Sequence, residues 1–168
     1  MNHHENEFRR SVLARLVIAI VAVVLSDRAG LFAAEPTLTH VDVFTSGKDG
    51  YHTFRIPAIV TALDGTLIAF AEGRRFNSHD PGFENNDIDL VCKRSTDNGK
   101  SWSELKVIDD PGERWSACNP AAVLDRDTGR VWVFHCRTKP GRSSVTSRPG
   151  TDDAQTWTRF STDSGATW

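Results

Sequence analysis

The sequence predicts an all-β protein, and three observations lead to that prediction. An eight-residue turn pattern, Ser-x-Asp-x-Gly-x-(Ser/Thr)-Trp, occurs twice, at 95–102 and at 161–168. Short apolar segments separated by turns rich in Gly and Asp fill the chain from Thr39 onward, which is typical of strands. This part of the sequence shows no convincing 3.6-residue helical periodicity. Because the same turn occurs twice, we expect the chain to contain two repeats of one supersecondary unit.

The two octets are predicted to be hairpin turns. In each, the aspartate can accept hydrogen bonds from backbone amides and close the turn. The glycine can adopt the positive φ that a Cβ would disfavour, and the tryptophan returns to a strand as a large apolar anchor. A structural role is therefore assigned to these octet residues: Ser95, Asp97, Gly99, Trp102, Ser161, Asp163, Gly165 and Trp168.

The first repeat unit is predicted to contain four strands, preceded by a short strand of its own at 40–44. The four strands are 54–62, 66–71, 87–94 and 102–108. An Asp-Gly turn joins the first strand to the second, and a long polar loop, 73–86, joins the second to the third. The first octet then lies between the third and fourth strands.

The second unit repeats this order. Its predicted strands are 119–124, 131–136 and 155–160, and the second octet follows them. Trp132 and Trp157 lie in these strands and are predicted core residues. Four short strands with a hairpin turn between the third and fourth are typical of a β-propeller blade. We therefore predict about two blades, and because a propeller needs roughly four to eight to close, a truncated piece that folds poorly alone.

The composition excludes some partners. The chain has 168 residues and a net charge of −2, so nothing indicates nucleic acid or an anionic membrane surface.

Three arginines precede a short apolar run at 16–25, which is too short to span a bilayer comfortably. We predict a secretory signal peptide over 1–34, with an N-terminal anchor as the alternative, and a domain over 35–168. The protein is expected to be secreted or periplasmic, or anchored at its N-terminus.

Three cysteines, Cys92, Cys118 and Cys136, are an odd number. Export would permit one disulfide and leave one thiol over, whereas buried free thiols are the simpler expectation. No Cys-x-x-Cys occurs and the histidines show no ligand spacing with the cysteines, so we expect no metal site.

Several stretches in order resemble bacterial exo-α-sialidases (neuraminidases). They are Phe54-Arg55-Ile56-Pro57, Ala71-Glu72-Gly73-Arg74-Arg75, Asp87-Ile88-Asp89-Leu90-Val91, the first octet, which matches the Asp-box of that family, and Asn119-Pro120 with the turn that follows. The resemblance covers about residues 38–168. It implies the first third or so of a six-bladed catalytic propeller that releases terminal sialic acid from glycoconjugates, with no metal or organic cofactor.

The resemblance implies a set of site residues. Arg55 matches the first of three arginines that hold the substrate carboxylate, which suits the planar, always charged guanidinium. Pro57 is expected to hold Ile56 extended. Arg74 matches an arginine near the substrate ring and the acid loop. Asp80 matches the acid/base in its spacing from Arg74.

Alternatives to these assignments stay open. Because the loop after Asp80 is longer than usual, Asp87 is the runner-up for the acid/base, followed by Glu84 and Asp89. Glu72 and Arg75 are expected to be scaffold residues that form ion pairs. Asn119 and Trp115 are weaker candidates for substrate contact.

The family attacks with a tyrosine assisted by a glutamate, and this chain does not supply that pair. Its only tyrosine, Tyr51, precedes Arg55, where the nucleophile of the family does not lie. We therefore expect an inactive N-terminal fragment of an enzyme whose substrates are sialylated glycans. The alternative is a non-catalytic propeller module that binds glycan or protein, since fold does not fix function.

Overall fold

Seven β-strands make up the regular structure of residues 37–83 and 85–168, which this computed structural model describes. In chain order they are β1 Thr53–Thr61, β2 Leu67–Arg74, β3 Ile88–Ser95, β4 Lys106–Asp109, β5 Ser116–Leu124, β6 Val131–Thr138 and β7 Ala154–Ser161. All seven lie in His40–Trp168, which forms one compact unit. The predicted signal peptide or anchor at 1–34 lies outside the described residues, as does Glu84.

The strands form two antiparallel meanders within one sheet that does not close on itself. The first meander runs β1-β2-β3-β4 and the second runs β5-β6-β7. A single parallel pair, Ile88 opposite Ser116, joins β3 to β5. The predicted all-β class is confirmed, and each of the seven strands predicted from 54 onward overlaps an observed one. Within the described residues, no helix is long and apolar enough to cross a membrane.

The strand predicted at 40–44 is wrong. Those residues form bends and irregular structure, and no strand pairs with them in the described part of the chain. Phe44 instead packs its ring on Phe54, with centroids 5.2 Å apart, and lies 5.7 Å from the ammonium of Lys93. The segment therefore covers the sheet with side chains rather than extending it through backbone bonds.

The main core lies between the two meanders. From the first meander, β2 and β3 supply Ile68, Phe70 and Leu90, which are fully buried. From the second, β6 supplies Val131 and Val133, also fully buried. The ring of Trp168, at the end of the second octet, meets Phe70 edge-on with centroids 5.4 Å apart. The second octet thus contributes directly to the core that joins the meanders.

Both octets form the same set of hydrogen bonds. In the first, Asp97 Oδ1 accepts from the Ser101 amide at 2.9 Å, and Asp97 Oδ2 accepts from the Ser101 hydroxyl at 2.5 Å. In the second, Asp163 makes the same two bonds to Thr167, at 2.8 and 2.6 Å. In each, the first serine hydroxyl donates to the aspartate and accepts from the glycine amide. These bonds hold the pKa of Asp97 at about 2 and lower that of Asp163.

A buried carboxylate connects the meanders on the side of β4. Asp109 accepts hydrogen bonds from His135 Nε2 at 2.6 Å, from Arg159 Nη2 at 2.6 Å, and from two nitrogens of Arg137. Burial acts to raise the pKa of Asp109, but the bonds from Arg137, His135 and Arg159 outweigh it and hold that pKa far below its usual range. β4 is thereby fixed to β6 and β7 by charge as well as by packing.

The prediction that Trp157 is a core residue is wrong, since its side chain is 39% exposed. The guanidinium of Arg137 lies 3.9 Å from the Trp157 ring centroid, so a cation covers one face of the ring. Trp132 is partly buried and pairs with Phe160, with centroids 5.0 Å apart.

Candidate active site

A pocket of about 440 Å³ opens where β1 and β2 meet β5 and β6. The predicted site residues that line it are Arg55, Arg74, Asp80 and Asn119, together with Glu72. The structure therefore brings together, in one concave site, residues that are up to 64 positions apart in the sequence. Two predicted candidates, Asp87 and Trp115, do not line this pocket.

A β-bulge in β1 directs Arg55 into the pocket. Arg55 pairs with Glu72 and Ala58 pairs with Phe70, so β1 has one more residue than β2 over this step. In a regular strand, residues three positions apart, such as Arg55 and Ala58, lie on opposite faces of the sheet. Because of the bulge, Arg55 lies on the same face as Ala58, which packs on the core. The bulge therefore turns the guanidinium toward the pocket.

The backbone at this bulge corrects one expectation. Ile56 has φ of +54°, in the left-handed region, and is not extended before Pro57 as predicted. A β-branched residue rarely adopts this conformation, so the bulge carries backbone strain. Asn119, which precedes Pro120 at the equivalent bulge of β5, has φ of +56°. A left-handed residue before a proline thus occurs at the pocket end of both first strands, and the strain is greater at Ile56 because asparagine tolerates this region.

Arg55 and Asp80 form an ion pair at the mouth of the pocket. Arg55 Nη1 donates to Asp80 Oδ1 at 2.7 Å. The side chains remain 46% and 60% exposed, so both can meet a ligand. A cation and a carboxylate side by side can bind an anionic group and exchange a proton with a neighbouring atom.

Arg74 is completely buried beneath this pair and organises the loop that carries Asp80. Its side chain donates to Glu72 Oε2 at 2.6 and 3.0 Å, and to the carbonyl oxygens of Ser78 and His79 at 2.6 and 2.7 Å. It also lies 3.2 Å from Asp80 Oδ1. Arg74 therefore positions the acid loop in this structure. Glu72 forms the buried ion pair that the sequence predicted.

Asn119 connects the second meander to the same network. Its backbone amide donates to Glu72 Oε1 at 2.9 Å, and its side-chain Nδ2 lies 3.6 Å from Cys118 Sγ. The bond from Asn119 to Glu72 joins β5 to β2 beside the pocket. The same carboxylate also accepts from Arg74, so the second meander is linked to the arginine that holds the acid loop. Asn119 itself remains exposed.

Asp87 and Asp89 belong to a separate acidic group. With Asp110 they place three carboxylate oxygens within 4.8 Å of one another, which is a spacing that could hold a metal ion. Arg75 already supplies positive charge there, at 2.6 Å from Asp89 and 3.7 Å from each of Asp87 and Asp110. Burial raises the pKa of Asp89 to about 6. Arg75 is thus the scaffold ion-pair residue that the sequence predicted.

Tyr51 lies in that second group and not in the pocket. It is buried, and its hydroxyl donates to Asp89 Oδ2 at 2.6 Å. Burial and the bond to Asp89 raise the pKa of the Tyr51 phenol. A phenol with a raised pKa, paired with a carboxylate away from the pocket, is poorly placed to attack a ligand there.

Sequence reasoning missed several residues of the pocket. Ser144 and Ser147 enter from the loop before β7, and Cys118 and Cys136 line the floor. The sequence predicts buried free thiols, or one disulfide of unspecified pairing, but it does not place the cysteines in the pocket, because strand register cannot be derived from one sequence. The Pro that follows both Ile56 and Asn119 was the available signal that two equivalent bulges end in the same pocket.

Known sialidases resemble this chain. No protein-family model matches it. It is 33% identical over 143 residues to a sialidase of Micromonospora viridifaciens, covering 80% of this chain and 21% of that protein. It is 35% identical over 147 residues to an exo-alpha-sialidase of Arthroderma benhamiae, covering 70% of this chain and 34% of that protein. The solved structure of the Hadza microbial sialidase Hz136 matches with a TM-score of 0.64 at 28% identity, over 73% of this chain and 26% of that one.

These similarities support the sialidase family, as the motifs predicted, and a sialidase-like function. The chain spans between 21% and 34% of the length of these relatives.

Proposed function

We propose that this chain is the N-terminal part of a secreted exo-α-sialidase that removes terminal sialic acids from glycoconjugates. The observation that carries the proposal is the meeting of Arg55 and Asp80 in one pocket, 2.7 Å apart, above the buried Arg74. Support comes from the sialidase names of its relatives and from the order of the motifs. Sialylated glycans are the proposed substrates, and the proposed chemistry uses no cofactor.

Arg55 is proposed to bind the substrate carboxylate. Sialic acid carries that group on its anomeric carbon, and a guanidinium can hold it with two parallel hydrogen bonds. Asp80 is the partner of Arg55 in this structure, so substrate binding would separate the two charges or share the guanidinium between two carboxylates. In either case Asp80 would stay at the mouth of the pocket, where the proposed mechanism needs an acid/base.

Asp80 is proposed to be the acid/base, in preference to Asp87. Asp80 lines the pocket and is 60% exposed, whereas Asp87 is buried beside Arg75. In a retaining mechanism Asp80 would protonate the leaving oxygen and then activate water. The nucleophile would be a tyrosine from a further part of the enzyme, since Tyr51 is engaged with Asp89.

The chain is proposed to provide the first two blades of a propeller. On the second meander, Val123, Phe134 and Phe160 form an apolar face and are 41–49% exposed. A third blade packed on that face would bury it, as the second meander buries the equivalent face of the first. The octets would close the outer hairpin of each blade.

Steady-state kinetics on the enzyme made from the entire coding sequence test this proposal. Arg55→Ala should raise KM and lower kcat, with a loss in kcat/KM of roughly 10²-fold or more for sialyllactose, because a charged contact to the carboxylate is lost. Asp80→Asn should lower kcat roughly 10²–10⁴-fold for sialyllactose and much less for an aryl sialoside, whose leaving group needs little protonation.

Arg126→Ala and Asp127→Asn, in the exposed turn between β5 and β6, are the matched controls and should keep normal kinetics. Near-normal turnover in Arg55→Ala would overturn its proposed role. A loss in Asp87→Asn with none in Asp80→Asn would exchange the two aspartates. Binding of sialyllactose without any hydrolysis by the intact protein would favour the non-catalytic module instead.

A further inference from the structure

Two cysteines face each other across the strands at the floor of the pocket. Cys118 of β5 and Cys136 of β6 are directly opposite in the antiparallel ladder. Directly opposed residues project to the same face of a sheet, and both side chains line the 440 Å³ pocket. Both thiols are free in this structure.

The register brings the pair within reach of a disulfide. Opposed residues in an antiparallel ladder have Cα atoms about 4.5 or 5.5 Å apart, and disulfides form at about 4.4–6.8 Å. The β-bulge begins immediately after Cys118, where the ladder shifts by one residue. A bulge interrupts the regular pairing and gives the backbone of β5 room to adjust as the sulfurs meet.

The third cysteine is separated from this pair. Cys92 is buried in the core cluster with Ile68 and Phe70, and it does not line the pocket. Cys136 is partly exposed and Cys118 is buried, so a small oxidant that enters the pocket meets Cys136 first. The geometry therefore selects one pairing out of the three that three cysteines allow.

We propose that Cys118 and Cys136 are a disulfide-forming site that reacts with a small organic disulfide through the pocket. The thiolate of Cys136 attacks one sulfur of the reagent and releases a thiolate, leaving a mixed disulfide. The thiolate of Cys118 then attacks the Cys136 sulfur and releases the second reagent thiolate. Two protein thiols lose two protons and two electrons, and the reagent is reduced to two thiols.

The second step should depend on pH. Burial, followed by the charge of Glu72, raises the pKa of the Cys118 thiol, so little of it is ionised near neutral pH. The closure of the disulfide should therefore speed up as the pH rises. Because Asn119 contacts both Cys118 Sγ and Glu72, the bond would form beside the network that holds Arg74.

Peptide mapping of the full chain after incubation with oxidised glutathione tests the site without any substrate. Trypsin cleaves after Arg114, Arg126, Arg130 and Arg137, which separates 115–126 from 131–137. Those two peptides each contain one cysteine and should appear joined under non-reducing conditions, with the loss of two hydrogen atoms. Reduction should separate them, and their yield at a fixed time should rise with pH.

The variants make the assignment selective. Cys92→Ser should leave the joined peptides unchanged. Cys136→Ser should abolish them, and it is the deciding variant because that side chain is the more exposed of the pair. Joined peptides that contain Cys92, or a stable glutathione adduct on Cys136 with no closure at any pH, would overturn the proposal. Neither result bears on the proposed sialidase activity, which is measured separately.

Discussion

The two meanders share a plan but differ in what covers them. The steps from Arg55 to Ala58 and from Cys118 to Ala121 are equivalent bulges, so Phe70 on β2 and Phe134 on β6 occupy equivalent positions. Phe70 is fully buried, whereas Phe134 is 41% exposed. The first meander buries this face against the second, and no described residue covers the same face of the second in that way. The alternation of apolar residues along a strand therefore predicts which face of the sheet is apolar. Whether that face is buried depends on a further element that packs against it.

The opposite face of the first meander is also covered. Tyr51 and Phe44, which precede β1, and Phe54 of β1 pack against Ala71 and Val91 there. The irregular segment before β1 thus helps to complete the burial of β2 and β3.

Equivalent phenylalanines give the largest expected contrast. Phe70→Ala should lower the free energy of unfolding by about 3–5 kcal/mol, because it leaves a cavity between the meanders. Phe134→Ala should lower it by less than about 1 kcal/mol, because much of that ring already contacts water. Urea unfolding followed by tryptophan fluorescence measures both. Equal losses would show that the second meander is covered in solution.

The pH dependence of Asp89 gives the next contrast. Its folded pKa of about 6 lies above its usual value of about 3.9, so the unfolded state releases its proton first. The stabilising contribution is full below about pH 4 and is lost as the pH rises through about 6. The free energy of unfolding of Asp89→Asn, measured relative to that of the parent chain, should therefore rise by about 3 kcal/mol as the pH is raised from 4 to 7.

Asp109 provides the comparison of opposite sign. Because its folded pKa is depressed, its contribution is present above about pH 4 and is lost as the pH falls below that value. Asp109→Asn should destabilise the chain at pH 7, because Arg137 and Arg159 lose the carboxylate to which they donate, and the difference from the parent chain should shrink as the pH falls below about 4. Unfolding curves at several pH values decide the matter, and a flat difference for Asp89→Asn would contradict the effect of its burial.

The two octet glycines give the smallest contrast. Gly99 and Gly165 both have positive φ, at 82° and 81°. A Cβ on Gly165 would lie 2.8 Å from Ile68 Cδ1, while a Cβ on Gly99 would come no closer than 3.5 Å to Leu67. Gly165→Ala should cost about 2 kcal/mol and Gly99→Ala about 1 kcal/mol, since both add backbone strain and only the first also crowds the core. Thermal unfolding of both variants measures this, and equal costs would show that Ile68 moves aside freely.

The sequence predicted the strands and octets well because their signals are local. Alternation and the Asp-x-Gly turn depend on neighbouring residues, which one sequence contains. The strand at 40–44 failed because alternation cannot show whether a pairing partner exists. The bulge at Ile56 failed because proline favours an extended residue before it, and tertiary packing overrode that preference.

The site was predictable in part. The resemblance to sialidases singled out Arg55, Arg74 and Asp80, and these residues do meet in one pocket. The opposition of Cys118 and Cys136, and the contacts of Asp109 with Arg137 and Arg159, depend on strand register and on packing between meanders. Neither can be derived from the order of residues in one chain.

The bulge in β1 makes the backbone conformation between Arg55 and Ala58 part of the site. Straightening this step without changing its length would restore regular alternation and turn the Arg55 side chain to the other face of the sheet. The arginine would keep its identity, charge and neighbours in sequence while leaving the pocket. Deleting one residue at 56–57 would instead leave Arg55 and Ala58 two positions apart, so regular alternation alone would keep both on one face. At this strand, a substitution that changes only the backbone conformation can therefore remove a functional side chain that it does not alter.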